Sequence, residues 1–161
     1  MSVGDRFGMV LVGGSGNDSL KNVTHHWPSS AYGVNAVGAL TRANNPARYS
    51  NGGPYVDFIT PGDEIISTVP GGGYLAAAEG GTSSATPHVS ALAALAFSAY
   101  KEDKCNPLYI GKGGKRNKVV EDALIRSVNK LGKFTTNRTD MYGRGMPEGD
   151  KVVKLLMGIQ V

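Results

Sequence analysis

The sequence predicts an α/β protein with a mostly parallel β-sheet flanked by helices. Short apolar runs that lead into Gly-rich or Pro-Gly turns are typical of buried parallel strands in such folds. A long run of Ala, Leu, Val and Phe follows them and favours a buried helix. A clearly amphipathic stretch in the C-terminal third adds a second helix. With 161 residues, the chain is long enough for one domain with a core of its own.

Three apolar runs are predicted to form the parallel strands, and they span residues 7–12, 33–40 and 55–62. The first of these runs ends in a glycine-rich turn, and the third is closed by Pro-Gly. A fourth segment, residues 64–70, alternates apolar and polar residues up to a proline. That pattern favours a hairpin arm or an edge strand.

Helices are predicted in three places. Residues 84 to about 101 contain so few polar side chains that we expect this helix to be buried on most of its circumference. Residues 119–131 are amphipathic, and residues 150–158 form a short terminal helix. The apolar face of the second helix consists of Val120, Leu124, Ile125, Val128 and Leu131.

The charge pattern argues against nucleic acid and membranes as partners. The formal net charge is +4, and basic residues concentrate after position 100, notably in GKGGKRNK at 111–118. No aromatic residues are interleaved there, so a solvated loop is favoured over a nucleic-acid site. The sequence shows no run of about 18 apolar residues and no signal-peptide pattern. The single cysteine, Cys105, excludes an intrachain disulfide.

The stretch GGTSSATPHVSALAAL, residues 80–95, allows two interpretations. Thr and Ser before an apolar run are ordinary helix-start signals, and Pro is tolerated at an early helical position. The stretch also suits a nucleophile, which needs close approach to a carbonyl and donors for the developing oxyanion. Gly80 and Gly81 leave room for that approach. A helix N-terminus would place unpaired N–H groups and the positive end of the macrodipole beside Ser83.

Several stretches, in the right order, resemble the subtilisin-like serine proteases, the subtilase family. GTSSATPHV resembles the signature around the family's nucleophile, which implies that Ser83 is the nucleophile. VLVGGSGNDS is similar to the oxyanion-hole segment, which implies that Asn17 donates its amide N–H beside the Ser83 backbone N–H. The stretches WPSSAYGVNAVGAL, YSNGGPYVDFITPG and YGRGMPEGDKVVKLL resemble segments that follow in the family. The resemblance therefore covers nearly the whole of 1–161, and residues 102–118 are interpreted as a basic loop insertion.

The resemblance also implies a set of substrate-binding residues, which are Gly14, Ser15, Gly16, His26, Gly80, Gly81 and Thr82. The first three form one wall of the family's S1 pocket, and their small size makes that wall unselective. His26 stands at the base of this pocket if Trp27-Pro28, with Pro28 in the cis form, occupies the family's Tyr-Pro position. A preference for a polar or acidic substrate side chain and an exposed loop histidine without such a role both stay open.

His88 is interpreted as a structural residue. It lies five residues past Ser83, about 140° around a helix of 3.6 residues per turn, so the two side chains do not share a face.

The resemblance is to the second half of the family's catalytic domain. A subtilase triad runs Asp, His, Ser along the chain. Here Asp5 is the sole acid before Asn17, and no histidine precedes His25. Four explanations stay open: a split or cleaved protease whose partner supplies Asp and His, an incompletely recorded enzyme, a degenerate binding or structural subunit, and an autonomous hydrolase with a rebuilt base. The last is the weakest, because no remaining histidine suits the family geometry.

The intact assembly is accordingly expected to be a serine endopeptidase that cleaves polypeptides through an acyl-enzyme. The isolated chain is expected to be nearly inactive and to expose one edge and one face of its sheet. The resemblance favours a secreted location. It also allows bound calcium, although no cofactor is required and no metal ligands are predicted.

Overall fold

A computed structural model of the chain describes residues 2–76, 80–100, 115–129 and 140–159. Four helices and seven strands are described there. In chain order they are α1 (Val3–Phe7), β1 (Leu11–Gly14), β2 (Val34–Leu40), β3 (Val56–Pro61), β4 (Ile66–Thr68), β5 (Tyr74–Ala76), α2 (Thr82–Ala99), α3 (Arg116–Arg126), β6 (Val128–Asn129), β7 (Met146–Pro147) and α4 (Gly149–Met157).

The three longest strands form a parallel sheet in the order β1-β2-β3, as the sequence predicts. The middle strand is buried from Ala36 to Leu40, whereas β1 is half-buried along its length. The outer edge of β3 is covered, because Ile59 N donates to the Gly145 carbonyl at 3.1 Å and Arg144 N donates to the Asp57 carbonyl at 2.8 Å. Within the described ranges, no strand pairs with the outer edge of β1. The outer edge of β1 is therefore open among the described residues.

The first predicted strand, residues 7–12, begins too early because a short capped helix precedes it. The Ser2 hydroxyl accepts a hydrogen bond from Asp5 N at 3.0 Å, and the Asp5 carboxylate accepts one from Ser2 N at 3.2 Å. This reciprocal capping box stabilises the start of α1. Gly8 ends the helix with a left-handed φ of 68°. Phe7 thus belongs to α1, and β1 runs from Leu11 to Gly14.

The predicted hairpin arm is confirmed. β4 pairs antiparallel with β5, with Ser67 opposite Leu75. The connecting turn contains Gly71, Gly72 and Gly73, whose φ values are 87°, 93° and 94°. Three consecutive residues with positive φ explain the glycine run, because residues that carry a side chain rarely adopt such φ values.

Helix α2 begins at Thr82, two residues before its predicted start, and this changes two expectations. Pro87 is the sixth helical residue, so its missing N–H removes the helical bond to the Ser83 carbonyl and is not free of cost. The prediction that this helix is buried on most of its circumference is also wrong, because Ala91, Ala94 and Leu95 are exposed. The helix buries one stripe, which consists of Thr82, Ala85, Val89, Ala93 and Ala96.

Helix α3 begins inside the segment predicted as a basic loop. Residues 116–118 form its first turn, so the loop prediction for 102–118 is wrong there, and residues 101–114 lie outside the described residues. The helix ends at Arg126 rather than at 131, because Val128–Asn129 pairs with Met146–Pro147. The core between the sheet, α2, α3 and α4 contains Val37, Phe58, Val89, Leu124 and Leu156.

Candidate active site

The candidate site lies where the carboxyl end of β1 meets the N-terminus of α2. A cavity of about 730 Å³ opens there. Close packing at Gly14 makes this junction possible, since a Cβ on Gly14 would lie 2.9 Å from Thr82 Oγ1. Most of the predicted site residues line this cavity: Gly14, Gly16, Asn17, His26, Thr82 and Ser83.

Ser83 is the second residue of α2, and its side chain is exposed to the cavity. The next two N–H groups, of Ser84 and Ala85, donate to the Gly81 carbonyl at 3.0 and 3.2 Å. The Ser83 N–H belongs to the first turn, where a helix offers no intrahelical acceptor. The helix macrodipole adds a partial positive charge at this end. Both the hydroxyl and the N–H of Ser83 are therefore placed to interact with a bound carbonyl group.

Thr82 fixes the orientation of the Asn17 amide. The backbone N–H and the hydroxyl of Thr82 both donate to Asn17 Oδ1, each at 2.9 Å. Because a backbone N–H can only donate, the amide oxygen must face Thr82 and the NH₂ group must point elsewhere. The amide orientation thus follows from the hydrogen-bonding pattern.

The Asn17 NH₂ group and Ser83 surround the same face of Gly81. A Cβ built on Gly81 would lie 3.1 Å from Ser83 Oγ, 3.6 Å from Asn17 Nδ2 and 3.7 Å from Ser83 N. Gly81 is buried and carries no side chain to fill this space. The geometry therefore brings together one hydroxyl and two N–H donors around a space that a carbonyl oxygen can enter.

Thr82 also ties the β1–α2 junction together. Its side chain is almost fully buried, and its hydroxyl accepts a hydrogen bond from Gly16 N at 3.2 Å. The sequence places Thr82 among the substrate-binding residues, and the structure shows in addition that it positions Asn17.

Asn51 holds the loop that carries Asn17, and sequence reasoning missed it. Its side chain is fully buried, and its Oδ1 accepts hydrogen bonds from Asp18 N and Leu20 N, both at 3.0 Å. Its Nδ2 donates to Asp18 Oδ2 at 2.9 Å. The segment YSNGGP, which contains Asn51, was visible in the sequence, but its partners lie more than 30 residues earlier. Periodicity carries no signal for such a contact.

The His26 ring lies against Gly16 in the same cavity. A Cβ on Gly16 would lie 2.6 Å from His26 Cε1, and φ at Gly16 is 103°, so glycine is required there. His26 Nδ1 lies 3.9 Å from Asp18 Oδ2, beyond hydrogen-bond distance. The Trp27–Pro28 peptide bond is cis, as expected.

Three predicted substrate-binding residues, Ser15, Gly80 and Gly81, do not line this cavity, although Gly81 lies against Ser83 and Asn17 as described above. Ser15 is fully buried and donates its hydroxyl to the Asn51 carbonyl at 2.9 Å, so its side chain supports the wall from behind. Gly80 borders a second pocket of about 640 Å³, which Asn17 also lines. Asn17 therefore stands between two pockets.

The histidines of the chain do not form a hydrogen bond with Ser83 in the part that the structure describes. His88 Nδ1 lies 3.2 Å from the Ser84 carbonyl, and His25 Nδ1 lies 2.8 Å from Thr24 Oγ1. Among the same residues, no cluster of three or more His, Cys, Asp or Glu side chains is arranged to hold a metal ion. No helix in the described ranges is long and apolar enough to cross a membrane.

In this α/β domain, the first strand of the parallel sheet and helix α2 meet at a serine and a side-chain amide. Serine hydrolases use such groups as the nucleophile and as an oxyanion donor. The family model described as the subtilase family matches residues 3–145. The chain belongs to the subtilase family.

Several curated relatives match most of the chain. A subtilisin-like protease of Coccidioides posadasii (strain C735) is 42% identical over 140 residues, which are 87% of this chain and 32% of that protein. The thermophilic serine proteinase of Bacillus sp. (strain AK1) is 43% identical over 85% of this chain and 29% of its own length. Subtilisin BL of Lederbergia lenta is 31% identical over 91% of this chain and 47% of its own length. The chain thus spans less than half the length of these relatives.

Solved structures share the fold. The prenylagaramide maturation protease PagA is 28% identical with a TM-score of 0.72, and the match covers 95% of this chain and 52% of that one. The self-cleaved protease domain of PatA is 26% identical with a TM-score of 0.74, and the match covers 99% and 54% of the two chains. These similarities confirm the subtilisin-like α/β fold over about half the length of each neighbour.

Proposed function

We propose that this chain supplies the nucleophile and the oxyanion-binding donors of a serine endopeptidase. The proposal depends above all on the amide of Asn17. Thr82 holds its oxygen with two hydrogen bonds of 2.9 Å, so its NH₂ group faces the space that Ser83 Oγ borders. Membership of the subtilase family supports a serine protease function.

In this proposal, Ser83 Oγ attacks the carbonyl carbon of a peptide bond and gives its proton to a histidine. The resulting oxyanion accepts hydrogen bonds from Asn17 Nδ2 and Ser83 N. The C–N bond then breaks, and the leaving amine takes the proton from the histidine. Water hydrolyses the ester on Ser83 and releases the second product. Gly81 keeps a side chain out of the space beside Ser83 Oγ and Asn17 Nδ2.

The histidine and its aspartate come, in this proposal, from polypeptide outside the described residues. Two surfaces support an additional segment or partner chain. The outer edge of β1 pairs with no strand in the described ranges, and α2 exposes Ala91, Ala94 and Leu95. An open strand edge can pair with another strand, and an exposed apolar helix face is stabilised when another segment packs against it. Pairing at β1 would bring the new segment to the same cavity, which Val12 lines.

Without that segment, the chain is proposed to be nearly inactive. Removing the triad histidine lowers turnover by about 10⁶ in subtilisin, the established example for this family. A secreted location and bound calcium are proposals with weaker support, since they rest on the family resemblance, and the proposed chemistry does not require the metal.

A second candidate function is a catalytically silent subunit that binds polypeptide. The observation that favours it is the lack of a histidine hydrogen-bonded to Ser83 among the described residues.

Active-site labelling separates the two functions. The chain is tagged, purified under native conditions together with any chains that accompany it, and treated with a fluorophosphonate. We expect the label on Ser83, lost in Ser83→Ala and retained in Ser84→Ala, its neighbour on the same helical turn. Failure of the native material to label at Ser83 would reject the protease and favour the silent subunit.

A further inference from the structure

A short motif on the surface has no role in the proposed chemistry. The segment Asn22-Val23-Thr24 matches N-x-[ST], the acceptor pattern for an N-linked glycan. Asn22 and Thr24 are both exposed. Asn22 is not among the residues that line the cavity at Ser83. The asparagine and the hydroxyl that define an acceptor are therefore both accessible, and they lie outside that cavity.

The loop that carries this motif is fixed by its backbone. Gly52 N donates to the Leu20 carbonyl, and Val23 N donates to the Gly52 carbonyl, both at 2.9 Å. A Cβ on Gly53 would clash with the Val23 carbonyl, so the loop packs directly on this segment. The two residues between these contacts are exposed. A sugar on the Asn22 side chain would therefore displace none of these contacts.

Backbone conformation explains the asparagine but not the whole motif. The φ angle of Asn22 is 60°, in the left-handed region, where asparagine is more common than most other residues. That preference does not require a hydroxyl two residues later. Thr24 Oγ1 lies 2.8 Å from Nδ1 of the exposed His25, a surface contact. The combination of Asn22 and Thr24 therefore favours an acceptor site over a turn alone.

The structure distinguishes Asn22 from a second match to the pattern, at residues 17–19. The Asn17 side-chain oxygen accepts two hydrogen bonds from Thr82, and its NH₂ group faces the space beside Ser83. A sugar on Asn17 Nδ2 would fill that space. A third match begins at Asn137, which lies outside the described residues. Of the two matches that the structure describes, Asn22 is the one that can carry a glycan while the candidate active site stays open.

We propose that Asn22, and not Asn17, carries an N-linked glycan in the native protein. This inference rests on the proposed secreted location, and its exclusion of Asn17 rests on the proposed function. In the transfer, Asn22 Nδ2 forms a C–N bond with the anomeric carbon of an oligosaccharide that is linked to a polyprenyl diphosphate. The bond between that carbon and the diphosphate oxygen breaks. The diphosphate leaves with the electron pair, and Nδ2 releases one proton.

The test is site-resolved mass spectrometry of the native protein, isolated from the cells that produce it. Treatment with peptide N-glycosidase in heavy-oxygen water converts each glycosylated asparagine into an aspartate that contains one heavy oxygen atom. We expect this isotopic mark at Asn22 and not at Asn17. An unmarked Asn22, or a marked Asn17, would overturn the inference.

Two variants of Thr24 test the motif without changing Asn22 itself. Thr24→Ala removes the hydroxyl and should abolish the mark at Asn22, whereas Thr24→Ser keeps the hydroxyl and should retain the mark. A mark that persists in Thr24→Ala would overturn the inference.

Fluorophosphonate labelling of Ser83 in the same material is a separate readout. We expect the labelling to be unchanged after the glycan is removed, because Asn22 lies outside the cavity. An unmarked Asn22 with a labelled Ser83 would overturn this inference and leave the proposed function intact. A marked Asn22 with an unlabelled Ser83 would support the glycan and reject the proposed function.

Discussion

Thr82 and Asn17, 65 residues apart in the chain, are joined by two hydrogen bonds to a single oxygen. The backbone N–H and the hydroxyl of Thr82 each lie 2.9 Å from Asn17 Oδ1. This pair links the loop after β1 to the first turn of α2. Because the amide oxygen is fully engaged, the amide NH₂ is left to face Ser83. The geometry of the candidate site therefore depends on a contact between two residues rather than on either residue alone.

The Thr82 hydroxyl is expected to matter through Asn17. Thr82→Val removes one hydrogen bond to Asn17 Oδ1 and the acceptor for Gly16 N. We expect kcat to fall by about three- to tenfold with KM little changed, the range for one net hydrogen bond. Thr82→Ser keeps the hydroxyl and should restore kcat. Steady-state kinetics of the native assembly checks this, and an equal loss in both variants would contradict the positioning role.

The space above Gly81 is expected to be essential. Gly81 has an extended φ of 168°, which alanine also adopts, so Gly81→Ala should fold normally. Its new Cβ would lie 3.1 Å from Ser83 Oγ and 3.6 Å from Asn17 Nδ2. A bound carbonyl would be displaced, and such misplacement costs up to about 10² in rate. Thermal unfolding and kcat/KM are measured together, and full activity in a folded Gly81→Ala protein would show that the carbonyl binds elsewhere.

Asn51 is expected to contribute to stability. Asn51→Leu removes the acceptor of Asp18 N and Leu20 N from a fully buried position. We expect the free energy of unfolding to fall by about 1–3 kcal/mol, because two backbone N–H groups lose their acceptor and one net hydrogen bond contributes about 0.5–1.5 kcal/mol. Asn45→Ala, at an exposed turn, should change it by less than about 0.5 kcal/mol. Urea denaturation gives both values, and equal effects would show that Asn51 does not hold the loop.

The contact between α1 and α3 is expected to weaken in acid. Lys118 Nζ lies 2.7 Å from Asp5 Oδ1, and this hydrogen bond is the main cause that lowers the Asp5 pKa from 3.8 to about 2. A lowered pKa in the folded state stabilises the fold above the ordinary pKa, and the contribution is lost as the pH falls towards 2. The stability difference between wild type and Asp5→Asn should therefore shrink between about pH 4 and pH 2. Thermal unfolding across this range checks it, and a constant difference would contradict the assignment.

The sequence predicted the elements whose signal is local. Residues 33–40 and 55–62 each form a parallel strand within one residue of the predicted bounds, because short apolar runs ending in turns are a local pattern. Helix α1 was missed because its evidence is a capping box of two residues, Ser2 and Asp5, rather than a periodic pattern.

The remaining differences depend on tertiary contacts. The exposed Leu95 shows that an apolar composition does not reveal what covers a helix. For the site, the motifs predicted from family order that Asn17 and Ser83 act together, and both residues line one cavity. The hydrogen bond between Asn51 and Asp18 was not predicted, because it joins segments that lie 33 residues apart in the sequence.

The most direct test of the central proposal is to trap the ester on Ser83. The native assembly is mixed with a peptidyl nitrophenyl ester, quenched in acid and digested, and the acyl group is located by mass spectrometry. We expect it on Ser83 in the wild type, absent in Ser83→Ala, and formed more slowly on Ser83 in Asn17→Ala by about 10²–10³, the established loss for this donor in subtilisin. An acyl group on another residue, or an unchanged rate in Asn17→Ala, would contradict the proposal that Ser83 and Asn17 act on the same carbonyl.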